Sequence, residues 1–148
     1  MVGAVIVAHS FIGKELIATA EYIVGEMDGI VAVSIDCKMD ALEARKVISE
    51  AIKQVEQGNG VLILTDLFGG SPSNIAFSFL NKDKVEVITG VNLPMILTFW
   101  NKRKGNTLME LAKFIYFAGR RSIVIAKNLM ETKGAFGRGI PARNRQVF

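Results

Sequence analysis

The only histidine of this 148-residue chain lies where a predicted strand ends. His9 directly follows the apolar run of residues 2–8, which is rich in β-branched side chains and is typical of a buried strand. A second apolar run, residues 61–65, is followed by a carboxylate, Asp66. Open α/β folds bind their ligands at the carboxyl ends of their strands. His9 and Asp66 are therefore the candidate chemical groups of this chain.

A histidine and a carboxylate placed in this way could carry out nucleophilic chemistry. A neutral, exposed imidazole can form a covalent intermediate. A carboxylate that accepts a hydrogen bond from one ring nitrogen fixes the tautomer and leaves the lone pair of the other nitrogen free. Asp66 could make that contact with His9, since the first and third strands of a doubly wound sheet can be neighbours. The carboxylate would also stabilise the positive ring that exists once a phosphoryl group is attached.

The segment after Asp66, Leu67-Phe-Gly-Gly-Ser-Pro-Ser-Asn74, contains groups that suit an anion. Gly69 and Gly70 would let the backbone approach closely, and Ser71 offers a hydroxyl at a predicted helix start, with proline at the first helical position. Phosphoryl transfer depends on positioning and charge stabilisation more than on an acid or a base. The alternative is that His9 merely ends a strand and that Gly-Gly-Ser-Pro is an ordinary turn.

Several other kinds of site lack the residues they need. One histidine and one cysteine, Cys37, are too few for a usual zinc site, so no metal is expected. Neither a P-loop nor a strand-following G-x-G-x-x-G motif is present. A Ser-His-Asp hydrolase with Ser10 or Ser71 as nucleophile stays possible, although the proline after Ser71 would remove an oxyanion-hole N–H. Cys37 is expected to be a half-buried residue of a protein in a reducing compartment.

Length and charge indicate one domain followed by a basic tail. A chain of 148 residues, half of them hydrophobic, fits a single domain with a well-covered sheet. Its apolar runs are shorter than the roughly 20 residues that a spanning helix needs. The net charge of +4 lies entirely in residues 127–148, while residues 1–126 carry equal numbers of acidic and basic side chains. We expect a cytoplasmic protein with a domain over 1–126, a flexible tail over 127–148 and no nucleic-acid partner.

Apolar patterns predict strands that alternate with helices. The strands are predicted at residues 2–8, 31–35, 61–65, 85–89 and 122–126, with a short helix at about 72–80 and later helices at 94–100 and 107–119. This alternation predicts a doubly wound, mainly parallel open sheet with helices on both faces. The segment 122–126 would be an edge strand, paired in its own subunit or exchanged with a neighbour.

Four stretches of the chain carry a resemblance to a known family. They are Ile6-Val-Ala-His-Ser10, Thr19-Ala-Glu-Tyr-Ile-Val-Gly25, Leu64-Thr-Asp-Leu-Phe-Gly-Gly-Ser-Pro-Ser-Asn74 and Thr89-Gly-Val-Asn-Leu-Pro-Met95. In this order they resemble the IIA component of the mannose family of the bacterial phosphoenolpyruvate-dependent sugar phosphotransferase system. The resemblance implies that His9 accepts a phosphoryl group from the phosphocarrier HPr, through the ring nitrogen distal to the backbone, and passes it to a IIB domain for sugar uptake and phosphorylation. It also implies that Asp66 holds the other nitrogen, that Ser71 lies by the phosphoryl group, and that no cofactor takes part.

The resemblance further implies a homodimer without membrane insertion, in which the C-terminal strand, here 122–126, crosses to the partner. Two positions depart from the family pattern. Ser10 stands where glycine usually follows the histidine, and Ser73 stands where phenylalanine usually follows the proline. Loss of that aromatic is expected to change the surface that meets HPr or IIB. Ser10 is also similar to the serine of the phosphotransferase subunit that serves dihydroxyacetone kinase, so such a subunit, or a regulatory phosphoprotein without a transport role, is the alternative.

Overall fold

The computed structural model of the protein describes residues 1–36 and 38–131, and in it four parallel strands form one sheet. The strands are β1 (Gly3–His9), β2 (Ile30–Ile35), β3 (Val61–Thr65) and β4 (Val85–Thr89), in the order β2-β1-β3-β4. β1 pairs with both β2 and β3, so the direction in which the sheet grows reverses between β1 and β3. β1 and β3 are almost entirely buried, which explains why they are continuous apolar runs and do not alternate with polar residues.

Six helices are found among the described residues. They are α1 (Ile12–Val24), α2 (Ala41–Val55), α3 (Ser71–Phe77), α4 (Leu93–Lys102), α5 (Leu108–Arg121) and α6 (Ala126–Glu131). α1, α4 and α5 pack on one face of the sheet, and α2 and α3 pack on the other. The predicted doubly wound parallel sheet with helices on both faces is therefore confirmed. Within 1–36 and 38–131, no helix has the length and apolar character needed to cross a membrane.

Polar side chains determine where the longer helices begin. The Asp40 carboxylate accepts a hydrogen bond from the Glu43 backbone N–H at 2.7 Å, as its position before α2 predicts. At the start of α5, the Thr107 hydroxyl accepts from the Glu110 N–H and the Glu110 carboxylate accepts from the Thr107 N–H. These contacts satisfy backbone donors that have no partner inside the helix.

The structure corrects the prediction of a strand at 122–126. α5 continues to Arg121, the Ser122 N–H donates to the Ala118 carbonyl, and α6 begins at Ala126. The residues between, Ile123 to Ile125, are exposed, with Ile123 80% accessible. A strand needs a neighbour to complete its hydrogen bonds, and this segment has none in the described part of a single chain. Exchange of this segment with a second subunit stays a prediction.

The predicted boundary between domain and tail falls at the start of a helix. α6 begins at Ala126 and runs to Glu131, so it includes the first five residues of the segment predicted as the basic tail. The remaining tail residues, 132–148, lie outside the described residues, and so does Cys37, for which a half-buried position was predicted.

Candidate functional site

The topology of the sheet brings His9 and Asp66 to one place. His9 is the last residue of β1, and Asp66 directly follows β3, which is hydrogen-bonded to β1. Both lie at the carboxyl edge of the sheet, where its direction of growth reverses. This is the switch point at which open α/β sheets bind their ligands. The prediction that the first and third strands are neighbours is confirmed.

Asp66 is held by three hydrogen bonds. Its Oδ2 atom lies 2.7 Å from Nδ1 of His9 and also accepts the backbone N–H of His9 at 2.9 Å. Its Oδ1 atom accepts the N–H of Leu67 at 2.9 Å. The imidazole is 45% exposed and the Asp66 side chain only 11%. In the described part of the chain no hydrogen bond reaches Nε2 of His9, so one ring nitrogen is fixed and the other is accessible.

The surroundings of Asp66 keep its carboxylate ionised. Burial by itself raises the pKa of this group, but the hydrogen bonds from the His9 backbone and ring and from the Leu67 N–H outweigh burial and lower its pKa below the ordinary value of 3.8. A negative charge next to Nδ1 favours the tautomer with a proton on Nδ1. The lone pair of the neutral ring is then on Nε2, the accessible nitrogen.

Gly69 and Gly70 have different roles in the loop beside His9. Gly70 lies so close to the imidazole that a Cβ atom there would be 3.1 Å from Cε1 of His9. Cε1 joins the two ring nitrogens, so the backbone at Gly70 lies against the ring atom between Nδ1 and Nε2. Gly69 has a φ of +83°, and a Cβ atom there would meet no atom within 4 Å. The expected close approach applies to Gly70, while Gly69 makes the turn.

The two serines of this loop face different environments. Ser71 is the first residue of α3 and is exposed, and among the described residues its hydroxyl has no hydrogen-bond partner. The helix cap is Gly70, not Ser71. Ser73 is fully buried and donates to the Gly70 carbonyl at 2.9 Å. The Ser73 side chain therefore points inward and supports the loop, and the effect of the missing aromatic on the partner-binding surface stays a prediction.

Exposed apolar side chains lie next to the site in the sequence. Phe11 follows Ser10, and Leu67 and Phe68 follow Asp66; all three are exposed, with Phe68 76% accessible. Phe68 also contacts Phe77 of α3, with ring centroids 6.2 Å apart. Sequence reasoning did not single out these residues. The signal was available, since large apolar residues in short loops beside a reactive group have no place in a helix or strand pattern.

Other chemistry has less support from the geometry. A serine hydrolase needs a hydroxyl bonded to the accessible histidine nitrogen, and within the described ranges neither Ser10 nor Ser71 makes that hydrogen bond. The same residues contain no group of three His, Cys, Asp or Glu side chains that could hold a metal ion.

The sequence matches a family model described as "PTS system fructose IIA component" over residues 3–116. The chain therefore belongs to this family, the IIA components of the sugar phosphotransferase system (PTS) of the mannose type. Membership confirms the resemblance that the four sequence stretches carry. It assigns the protein to the sugar phosphotransferase system as a phosphotransferase component.

Individual relatives agree with this assignment. The chain is 26% identical over 132 residues to the fructose-specific EIIA component of Bacillus subtilis (strain 168), which covers 88% of this chain and 90% of that relative. It is 28% identical over 128 residues to the mannose-specific EIIAB component of Escherichia coli (strain K12), covering 85% of this chain but only 40% of that longer protein.

Solved structures share the fold. The PTS IIA protein associated with the fucose utilization operon of Streptococcus pneumoniae is 27% identical, with a TM-score of 0.75 and coverage of 86% of this chain and 94% of that one. The phosphotransferase component EIIA of Streptococcus agalactiae, at 23% identity, has a TM-score of 0.78 over 86% of this chain and 99% of its own.

Proposed function

We propose that this protein is a phosphoryl carrier that accepts a phosphoryl group on Nε2 of His9 from a phosphorylated HPr-like phosphocarrier and passes it to a IIB component for sugar uptake and phosphorylation. The observation that carries the proposal is the 2.7 Å contact between Nδ1 of His9 and Asp66. It leaves Nε2 as the accessible nitrogen of a half-exposed ring. Membership of the IIA family supports the direction of transfer.

The transfer exchanges one phosphorus–nitrogen bond for another. The Nε2 lone pair attacks the phosphorus atom in line with the donor, while the bond from phosphorus to the donor nitrogen breaks and its electron pair returns to the donor. His9 keeps its Nδ1 proton, so the phosphorylated ring is positively charged. The adjacent Asp66 carboxylate stabilises that charge, and transfer to the IIB component reverses the same steps.

The loop beside the ring would contact the phosphoryl group. Gly70 lets the backbone lie against the ring atom between Nδ1 and Nε2, Gly69 turns the chain, and Ser71 has an exposed hydroxyl without a partner in the described part of the chain. We assign these three residues to phosphoryl binding. A hydroxyl and backbone N–H groups are suitable donors to phosphoryl oxygens. No cofactor or metal is needed for this exchange.

The surroundings of His9 suit a protein partner. Exposed Phe11, Leu67 and Phe68 offer apolar contact area beside a reactive nitrogen. Clusters of this kind mark interaction sites more often than ordinary surface. An exposed ring on a sheet edge is also accessible to the histidine of another protein, which must approach Nε2 directly for an in-line transfer.

The decisive experiment is phosphorylation with purified enzyme I, HPr and phosphoenolpyruvate. We expect the wild-type protein to gain one acid-labile phosphoryl group and His9→Gln to gain none, because His9 is the only histidine. Asp83→Asn is the control. Asp83 precedes β4 and so lies at the amino ends of the strands, away from His9. Its backbone φ of +66° is one that asparagine tolerates. Phosphorylation of His9→Gln at the wild-type level would contradict the proposal.

A further inference from the structure

Ser10 is held in a backbone conformation that serine rarely adopts. Its φ is +49°, in the left-handed region, and the other described non-glycine residue with positive φ is Asp83. A Cβ atom destabilises this conformation, and glycine avoids that penalty. Strained residues of this kind concentrate at functional sites, so the serine side chain calls for a functional explanation.

Ser10 is the chain neighbour of His9, and its side chain is exposed. It directly follows His9 and, with Phe11, links β1 to α1. Consecutive Cα atoms are about 3.8 Å apart, so the side chains of His9 and Ser10 start close together. The Ser10 side chain is exposed, and its hydroxyl has no hydrogen-bond partner in residues 1–36 and 38–131.

The backbone at this point is fixed from both sides. The N–H of His9 donates to Asp66 at 2.9 Å, and the Phe11 carbonyl accepts the Glu15 N–H at 3.0 Å at the start of α1. Ser10 lies between these anchors, so its Cβ atom keeps one direction relative to the site. A fixed direction reduces the entropy that a hydrogen bond from the hydroxyl must overcome.

We propose that Ser10 contacts the transferred group, its hydroxyl donating a hydrogen bond to a phosphoryl oxygen on Nε2 of His9. This inference rests on the proposed function, since it needs a phosphoryl group on His9. The phosphoryl oxygens are strong, charged acceptors. Because the hydroxyl has no partner among residues 1–36 and 38–131 before transfer, the new bond stabilises the phosphorylated form relative to the free form, and a glycine at this position cannot do so.

Two variants of Ser10 distinguish the effect of its hydroxyl from the effect of its left-handed backbone conformation. Ser10→Ala keeps a Cβ atom in the left-handed conformation and lacks the hydroxyl, while Ser10→Gly lacks both the hydroxyl and the strain. The measurement is the equilibrium constant for phosphoryl exchange between phospho-HPr and the protein. We expect both variants to shift this constant toward phospho-HPr by about ten- to hundredfold, the effect of one lost hydrogen bond to a charged group.

Thermal unfolding of the unphosphorylated proteins provides the internal control. Ser10→Gly should have a higher Tm than wild type, because the strain is relieved, and Ser10→Ala should melt close to wild type, because both carry a Cβ atom at positive φ. The equilibrium shift and the change in Tm would then follow different patterns across the two variants.

The possible outcomes distinguish this proposal from the proposed function. If both variants exchange phosphoryl groups with the wild-type equilibrium constant, the hydroxyl has no role and the inference is overturned. If the equilibrium constant shifts in only one of the two variants, the effect belongs to the backbone or to the methyl group, and the inference is overturned as well. A wild-type protein that is not phosphorylated on His9 overturns the proposed function, and this inference with it.

Discussion

A single hydrogen bond determines what His9 can do. Asp66 occupies Nδ1 and so leaves Nε2 as the nitrogen that we propose as the nucleophile, while the position of the carboxylate is fixed by the backbone N–H groups of His9 and Leu67. The strand that delivers the histidine therefore also orients the carboxylate, because the N–H and the ring of the same residue bind one oxygen. In a neutral ring, this one contact between the two side chains sets the tautomer, with the proton on Nδ1 and the lone pair on Nε2.

Replacing Asp66 by asparagine should slow phosphoryl transfer without disrupting the fold. Asparagine can still accept a hydrogen bond from Nδ1, but it has no negative charge to stabilise the phosphorylated ring. We expect the rate of phosphorylation by phospho-HPr to fall by about tenfold or more, as for other carboxylates that orient a histidine. Rapid-quench measurements would give the rate, and an unchanged rate would remove the orienting role of Asp66.

The lowered pKa of Asp66 predicts how stability depends on pH. A group whose pKa is lower in the folded than in the unfolded protein stabilises the fold fully above its ordinary pKa of 3.8, and this contribution is lost as the pH falls through the lower, folded value. We expect the urea midpoint of the wild-type protein to decrease below about pH 4 more steeply than that of Asp66→Asn. Parallel pH profiles for the two proteins would contradict the assigned direction of the shift.

At the scale of elements, the loop between β3 and α3 has glycine, and no side chain, at the position next to the His9 imidazole. Gly70 is required by the space it leaves for His9, and Gly69 by its left-handed φ. Ser73 then fastens the loop from inside, since its buried hydroxyl donates to the Gly70 carbonyl. The short helix α3 therefore contributes the anchor that keeps Gly70 beside the imidazole.

Replacement by alanine should affect the phosphorylation rate at Gly70 and the unfolding free energy at Gly69. Gly70→Ala puts a methyl group 3.1 Å from Cε1 of His9, so we expect slower phosphorylation with little loss of stability. Gly69→Ala adds a methyl group in open space at positive φ, so we expect a loss of about 1–2 kcal/mol in unfolding free energy and nearly normal phosphorylation. Urea denaturation and the phosphorylation assay measure the two effects, and equal effects on both assays would contradict this division.

The central strands β1 and β3 were predictable because strands covered on both faces require continuous apolar runs, as in Val61–Thr65, whereas the apolar run at 122–126 is not a strand in this structure. The pairing of His9 with Asp66 followed from the strand ends and from the possible adjacency of the first and third strands. The burial of Ser73 was not predictable, because a short helix of seven residues does not reveal which face is inward. The left-handed φ of Ser10 could not be predicted either, because in a sequence only glycine normally indicates that backbone conformation.

At the scale of the whole molecule, the edges of the sheet and the segment 123–125 have no paired strand beside them within residues 1–36 and 38–131. β4 is one of the two edge strands, beside β3, and the segment 123–125 is apolar and exposed. An open strand edge and an unpaired apolar segment are each unfavourable in water. The sequence pattern of 122–126 is that of a strand, and pairing with an edge strand of another subunit would complete its hydrogen bonds and bury its apolar side chains. The family resemblance implies the same arrangement.

We therefore expect a homodimer that depends on the segment 123–125. Val124→Asp places a charge in the middle of this segment, and burying an unpaired charge is unfavourable. The variant should be monomeric by light scattering coupled to size exclusion, while wild type and the control Leu42→Asp, an exposed residue on α2, should be dimeric. Because His9 and Asp66 come from the same chain, the monomeric variant should still accept a phosphoryl group. A monomeric wild-type protein, or a dimeric Val124→Asp variant, would show that this segment does not hold two subunits together.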